Sequence, residues 1–182
     1  MEARDEELLI VIANGDPAPL RTLYDRYKSR IMTYAFYVLG DRAAAEDVVQ
    51  ETFLRVFKHA RRFDPEKRFS TWIYSIAANL CRDELRKRAR RRDFTLPLLY
   101  EPAEDRVSSP LRAAAGREFA TRLREELGRL SAEQREVIVL RFIDSMAYAD
   151  IAEIAGCPLG TVQSRLHAAL KVLRERLKEF RA

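Results

Sequence analysis

Cysteine and histidine are scarce in this chain of 182 residues, which contains two of each. This scarcity argues against a disulfide-rich protein and against a zinc-binding one. The two cysteines and two histidines lie far apart, with no Cys-x-x-Cys pair and no cluster at metal-ligand spacing. We therefore expect no metal and no cofactor. The sequence also shows no nucleophile paired with a base and no phosphate-binding loop, so we do not expect an enzyme.

Long apolar runs are also missing. None approaches the roughly 20 residues that a membrane helix needs. The opening segment, residues 1–7, is acidic and lacks the basic start of a secretory signal. These features predict a cytoplasmic protein with no membrane insertion, in which a disulfide is not expected.

Basic residues are present in modest excess, with a formal net charge of +5. Two stretches, 82–92 and 165–181, are much richer in Lys and Arg than in acids. A basic patch attracts phosphate backbones. A charged stretch of this kind can equally be the solvated face of a helix, so charge alone leaves both interpretations open.

Helical periodicity occupies two blocks, which predicts an all-α protein of two small helical domains joined by a flexible linker. The predicted domains cover residues 1–92 and 117–182. The segment between them, 93–116, contains three prolines and an acidic centre, as expected of a linker.

Local signals predict where several helices begin and end. Asp16, followed by proline, is the predicted N-cap of one helix, and Gly40 with Asp41 should end that helix and cap the next. A further helix should begin near Ser70. In the second block, Ser131 and Gln134 form a capping-box pattern.

Residues 148–167 fit a helix-turn-helix pattern. Ala152 stands where two helices cross, Gly156 stands in the turn where a positive φ is usual, and Val162 points back towards the helix pair. The second helix carries a short polar surface with cations, which could read base edges in a major groove. The alternative is a plain amphipathic helix of a small bundle. The candidate DNA-contacting residues are Thr161, Gln163, Ser164, Arg165, His167 and Lys171.

The helix predicted from Asp41 to about Arg61 has one apolar side chain out of place. Leu54 falls on the polar face, whereas Phe57 falls on the apolar one. An apolar residue within a polar rim is typical of a protein-binding surface, although single exposed leucines are also common. A carboxylate metal site is the third possibility, but no Glu-x-x-His partner exists. The candidate protein-binding residues are Asp47, Gln50, Glu51, Leu54 and Lys58.

The stretch from residue 68 to residue 86 begins with aromatic residues and continues as a basic helix. This combination suits single-stranded DNA, because bases stack on aromatic rings while cations follow the phosphates. Phe69 and Trp72 could instead belong to the hydrophobic core. The candidate residues are Arg68, Phe69, Trp72, Ser75, Asn79, Arg82 and Arg86.

Three of these motifs resemble those of bacterial sigma factors of the sigma-70 family, extracytoplasmic-function (ECF) subfamily. Residues 150–165 with the preceding 130–141 are similar to the family's C-terminal DNA-binding region. Residues 47–57 resemble its polymerase-binding helix, and residues 69–83 resemble its reader of the −10 promoter element. The resemblance covers nearly the whole chain, from about Ala13 to Leu177.

The resemblance implies a partner and a role for each motif. It implies that residues 47–58 dock on the β′ subunit of core RNA polymerase, that the first domain reads the −10 element and that the second reads the −35 element. It implies further contact with the β subunit, threading of the linker through the polymerase, and control by an anti-sigma factor. A free-standing helix-turn-helix regulator is the alternative, against which the polymerase-binding motif argues.

Overall fold

The computed structural model describes residues 3–91, 119 and 121–178, so the linker predicted at 93–116 lies outside the described residues. All regular structure within the described ranges is helical, which confirms the all-α fold class. The helices are α1 (Asp5–Ala13), α2 (Leu20–Leu39), α3 (Arg42–His59), α4 (Phe69–Arg91), α5 (121–128), α6 (Ala132–Ile138), α7 (Tyr148–Ala155) and α8 (Leu159–Arg176). A 3₁₀ turn, Ala60–Arg62, follows α3, and a π-helical turn, Val139–Ile143, follows α6.

The start of α2 differs from the prediction. Asp16 does not cap a helix; its Oδ1 accepts a 2.9 Å hydrogen bond from the backbone N–H of Ala18 and so closes a turn. The helix begins only after Pro19, because two prolines in that turn fix the backbone before it. The other end was predicted correctly: Gly40 has a φ of 66°, and Asp41 Oδ1 accepts from the N–H of Ala44 at 3.1 Å.

Predicted caps in the second half are also confirmed. The Ser131 hydroxyl accepts from the N–H of Gln134 at 3.2 Å, and the side chain of Gln134 accepts in return from the N–H of Ser131 at 3.3 Å. Gly156 ends α7 with a φ of 62°, a conformation that strains any residue with a Cβ. The turn between α7 and α8 therefore has the geometry that the sequence predicted.

In the first half, α2 packs against α1, α3 and α4. An aromatic group holds the start of α4 in place: Phe69 makes edge contacts with Tyr27 at 5.2 Å between ring centroids and with Phe63 at 6.3 Å. Ring pairs of this kind hold the two rings in a preferred orientation, and they stabilise the fold beyond the effect of the apolar area that they bury. They fix the corner between α3 and α4, which is one wall of the cleft described below.

In the second half, α8 packs against α6 and α7 through buried Val162, Leu166 and Ala169. A buried carboxylate ties α8 to α5. Glu126 is fully buried and lies within 3.2 Å of guanidinium groups of Arg122, Arg129 and Arg176. Several charge-assisted hydrogen bonds offset the cost of burying that charge.

The two halves pack on each other, and their buried apolar residues form one contiguous cluster. α7 lies against α4, while α6 and the π-helical turn lie against α2. The buried rings of Tyr34 and Tyr74 meet edge to face at 5.6 Å at this boundary. Across it, Arg135 donates a 2.7 Å hydrogen bond to the carbonyl of Val38. In the described ranges, no helix combines the length and apolar character that a membrane span requires.

Candidate nucleic-acid and polymerase interfaces

The outer surface of α8 presents most of the predicted duplex-binding residues. Gln163, Ser164, His167 and Lys171 are exposed, and α8 begins directly after the Gly156 turn. The Ser164 hydroxyl donates to the Thr161 carbonyl at 3.0 Å, so it can still accept a hydrogen bond from a ligand. These four side chains form a polar surface of the kind that reads base edges and phosphates.

Arg165 and Thr161 lie at the edge of that surface and are half-buried. Arg165 Nη1 lies 3.7 Å from Cys157 Sγ, a weak hydrogen bond that draws the guanidinium towards the turn. Hydrogen bonds at the start of α6 lower the pKa of the Glu133 carboxyl, and the positive charge of Arg165 lowers it further. Arg165 is thus held beside the turn between α7 and α8, whereas the four exposed residues of α8 face solvent.

The outer face of α3 has an apolar centre larger than the sequence predicted. Leu54 is 43% exposed, as expected, but Phe57 is 47% exposed and not in the core. The prediction for Phe57 was wrong because neighbouring helices cover only part of the apolar stripe of α3. Two adjacent exposed apolar side chains within a polar rim suit a protein interface far better than one does. The rim consists of Asp47, Gln50, Glu51 and Lys58.

One ion pair fixes part of that rim. Arg55 Nε donates to Glu51 Oε1 at 2.8 Å, one helical turn away. The hydrogen bond from this guanidinium lowers the pKa of the Glu51 carboxyl. The carboxylate therefore stays charged at neutral pH beside Leu54.

A cleft of about 270 Å³ lies between α3 and α4. Two facing rows of side chains line it, each spaced at i, i+4 and i+7. Three nitrogen-rich side chains come from α3 and the turn after it, and a ring, an aliphatic chain and an amide come from α4. The lining residues are Arg55, His59, Arg62, Trp72, Ile76 and Asn79.

The chemistry of the cleft suits a flat, polar ligand with a negative charge nearby. Trp72 offers a π-face and Asn79 offers both a donor and an acceptor. Arg55 and Arg62 supply positive charge at the rim.

The sequence left open whether Phe69 and Trp72 belong to the core or contact DNA. In the structure, Phe69 belongs to the core and Trp72 lines the cleft. Phe69 is completely buried, which confirms the core interpretation and corrects its inclusion among residues that touch DNA. Trp72 is partly buried: its ring packs at 5.2 Å from Phe63 and still lines the cleft. The core thus holds the indole ring in position from behind.

The remaining predicted residues of this helix do not form one surface. Ser75 is half-buried and donates to the Thr71 carbonyl at 2.8 Å. Arg86 is exposed and pairs with Asp83 at 2.8 Å. Arg82 extends into the boundary between the halves, where it lies 3.0 Å from Glu136, and it also donates to Oδ1 of Asn79 at 2.9 Å.

Two buried carboxylates at that boundary have raised pKa values. Burial raises the pKa of Glu136, and the charge of Arg82 and a hydrogen bond from Tyr34 only partly oppose this. Burial likewise raises the pKa of Asp144 to about 6, against a hydrogen bond from Tyr74 and the charge of Arg30. Asp144 Oδ2 has no hydrogen-bond partner among the described residues. The boundary is therefore sensitive to the charge of both groups.

Comparison with known proteins identifies the family. Residues 23–91 match Sigma-70 region 2, and residues 120–173 match Sigma-70 region 4. The chain is 30% identical to the ECF RNA polymerase sigma factor SigW of Bacillus subtilis, over 99% of this chain and 100% of that protein. The chain belongs to the ECF group of sigma-70 factors. This sigma factor is also 34% identical to SigL of Mycobacterium tuberculosis, over 92% and 94% of the two chains.

Solved structures agree with this assignment. The sigma factor resembles CnrH in its complex with the cytosolic domain of CnrY, with 25% identity, a TM-score of 0.74 and coverage of 96% and 97%. It also resembles the sigma factor RpoE of Bartonella quintana in complex with the anti-sigma factor NepR, with 27% identity, a TM-score of 0.68 and coverage of 82% and 90%. As a member of this family, the sigma factor directs core RNA polymerase to promoters, and the family as a whole is not one of enzymes.

Sequence reasoning missed several residues of this sigma factor that the structure brings to its surfaces. Arg55, His59 and Arg62 share one face of α3 and its following turn, at the same spacing as Trp72, Ile76 and Asn79 on α4. That shared spacing was readable in the sequence. Which two rows face each other was not, because it depends on how α3 crosses α4.

Proposed function

We propose that the sigma factor divides its work among three surfaces. The outer face of α3 docks on the β′ subunit of core polymerase, the cleft between α3 and α4 binds the −10 strand, and α8 binds the −35 duplex. The proposed domains are residues 1–92 and 117–182, joined by residues 93–116. The observation that carries this assignment is the cleft, because it combines a stacking ring, a hydrogen-bonding amide and cations at one place.

The docking surface is centred on Leu54 and Phe57. A pair of exposed apolar anchors within a charged rim has the anatomy of an interface hot spot, in which central apolar residues carry most of the binding energy. The rim residues would set orientation and rate of association more than affinity. A helical partner with a complementary apolar stripe and basic edge fits this surface.

The cleft would capture one unpaired base of the melted −10 element. We infer that the base stacks on Trp72 and bonds to Asn79, while Arg55 and Arg62 contact phosphates on either side. Holding an extruded base compensates for part of the cost of unstacking and unpairing it, which amounts to a few kcal/mol. Binding at the cleft would thus favour the open promoter.

The −35 element would be read by exposed residues of α8. Gln163 and His167 are suited to base edges, Ser164 can bond to either base or phosphate, and Lys171 is suited to phosphate. We infer that such a protein acts in the cytoplasm, where polymerase and DNA are, and that the polymerase supplies the catalytic groups. By analogy with the anti-sigma complex of its relative RpoE, we expect an anti-sigma partner here as well.

The decisive experiment is reconstitution. The purified chain is mixed with bacterial core RNA polymerase, and the complex is tested for run-off transcription on a library of promoter fragments. Stable binding with transcripts from a limited set of promoters supports the proposal. DNA binding without polymerase binding would instead support a free-standing helix-turn-helix regulator.

A further inference from the structure

The side-chain amide of Asn79 has a defined orientation. Its Oδ1 accepts a 2.9 Å hydrogen bond from Nη2 of Arg82, which lies one turn further along α4. A guanidinium group carries five N–H donors and no acceptor, so the atom of Asn79 that faces it must be the oxygen. The oxygen and nitrogen of an amide have nearly the same shape, and here the chemistry of the partner distinguishes them.

Arg82 is itself held in place. Its side chain is only 28% exposed, and the guanidinium lies 3.0 Å from Glu136 and donates to the Ile154 carbonyl at 3.1 Å. The contact with Asn79 joins residues three apart on one helix, so it depends on α4 and not on those two partners. Arg82 can therefore direct the amide whether or not Glu136 lies beside it.

The nitrogen of the Asn79 amide points away from Arg82. Ile76 and Trp72, the other residues of α4 that line the cleft, lie one and two turns before Asn79, on the side opposite to Arg82. This nitrogen has no hydrogen-bond partner among the described residues. Its two N–H donors are thus available to a ligand in the cleft.

The other polar side chains of the cleft are mainly donors as well. Arg55 and Arg62 carry guanidinium groups, and the indole N–H of Trp72 can only donate. Among the described residues that line the cleft, only His59 and Asn79 have a side-chain acceptor, and the acceptor of Asn79 faces Arg82. A ligand edge that presents acceptors matches this lining. An amino group placed against Asn79 would meet another donor and would lack a partner.

We propose that Arg82 is a positioning residue that determines specificity, because it fixes the Asn79 amide so that the cleft reads a base of the −10 strand through an acceptor atom. The ligand is an unpaired nucleobase that presents a carbonyl oxygen or a ring nitrogen to Asn79. Without Arg82, a half-turn of the amide presents its oxygen equally well, and the two kinds of base edge are no longer distinguished. This inference rests on the proposed function, in which the cleft binds the −10 strand.

The test measures base preference in the complex with core polymerase. A promoter fragment recovered from the transcription library is prepared with its −10 strand unpaired, and each position of that element is made with each of the four bases. Fluorescence anisotropy gives the four affinities, and the ratio of the best base to the worst is the readout. A variant that only loosens the boundary or removes general charge scales all four affinities together. Only a change in the group that reads the base alters the ratio.

The variants isolate the orientation of the amide. Arg82→Met removes the donors and keeps a stem of similar length, whereas Arg82→Lys retains a donor group. Asn79→Asp keeps the shape of the side chain but has no N–H, and Asn79→Ala removes the group. The control is Arg90→Met, which removes the same charge from an exposed position further along α4, where Arg90 donates to the carbonyl of Arg86 at 3.4 Å.

The expected changes are confined to the position that occupies the cleft. There the unmodified protein should prefer its best base to its worst by about tenfold, the scale of one base contact. Asn79→Ala and Asn79→Asp should lower this ratio to about twofold, and Arg82→Met should lower it to about threefold. Arg82→Lys should retain most of the preference and Arg90→Met all of it. Adding Arg82→Met to Asn79→Ala should cause no further loss, because the two residues act through one contact.

Three outcomes would overturn the inference. Full preference in Arg82→Met would show that the guanidinium does not orient the amide, and would leave the cleft assignment intact. Full preference in Asn79→Asp would show that the base is read through the oxygen. Unchanged preference at every position in Asn79→Ala would reject the cleft as the base-binding site, together with the inference. If Arg82→Met fails to fold, Asn79→Asp decides.

Discussion

The Tyr74 hydroxyl donates a 2.5 Å hydrogen bond to Asp144 Oδ1 across the boundary between the two halves. Both residues are buried, and the other carboxylate oxygen of Asp144 has no partner among the described residues. The nearest cation, Arg30, is 3.8 Å away and half-exposed. One hydrogen bond and a distant charge do not fully compensate a buried carboxylate, so the packed arrangement favours its protonated form.

This environment predicts that the free energy of unfolding depends on pH through the ionisation of Asp144. Its pKa is raised from 3.8 to about 6, so its contribution to stability is complete below pH 3.8 and is lost as the pH rises through 6. From pH 5 to pH 7.5, the free energy of unfolding of the wild type should fall by about 1.4 kcal/mol relative to Asp144→Asn. Urea unfolding of both proteins across this range measures the difference, and parallel curves would contradict the prediction.

The docking surface on α3 predicts a selective loss of polymerase binding. Leu54→Glu places a charge at the centre of the proposed interface and should weaken core polymerase binding by at least about 2 kcal/mol, the scale of a hot-spot residue. Pull-down of core polymerase with thermal melting of the free protein measures both effects. Ile10→Glu is a matched control, because Ile10 is 41% exposed on α1. Early melting of Leu54→Glu would mean that Leu54 serves the core.

The cleft predicts a defect in promoter melting. Asn79→Ala removes the proposed hydrogen bonds to the base while sparing the indole ring of Trp72. We expect open complexes, detected by permanganate reactivity of unpaired thymines, to fall by about tenfold, since leaving a buried hydrogen-bonding group of the base unsatisfied costs about 1–3 kcal/mol.

Polymerase binding and initial duplex binding should be retained by the same variant. Asn14→Ala serves as its control, since Asn14 is an exposed amide at the end of α1. Equal loss of open complexes in both variants would indicate a general effect on stability and would reject the cleft as the base-binding site.

The exposed face of α8 predicts two different kinds of −35 defect. Gln163→Ala should relax the preference for one base pair, worth about 1–3 kcal/mol of discrimination. Lys171→Ala should weaken binding to all sequences and reduce the slope of log affinity against log salt by about 1. Binding of the holoenzyme to promoter variants over a salt series distinguishes them. Identical behaviour of the two variants would contradict the assigned roles.

Much of the secondary structure followed from local chemistry that the sequence displays. Ser131 with Gln134, Gly40 with Asp41, and Gly156 each determine a helix end through hydrogen bonds or φ angles within a few residues. Asp16 was the exception. Two prolines beside it favour a tight turn over a helix start, and that competition is also local.

The sequence by itself determined the family motifs, the helix-turn-helix geometry and the polar surface of α8, because each depends on spacing along one or two helices. Only the tertiary structure decided which side chains are covered. Phe57 is exposed because no helix among the described residues covers it, Phe69 is buried beneath three neighbouring rings, and Arg82 meets Glu136 instead of solvent. Helical periodicity determines the direction in which a side chain projects from the axis of its helix. Which residues that side chain then contacts depends on helices that are distant in sequence.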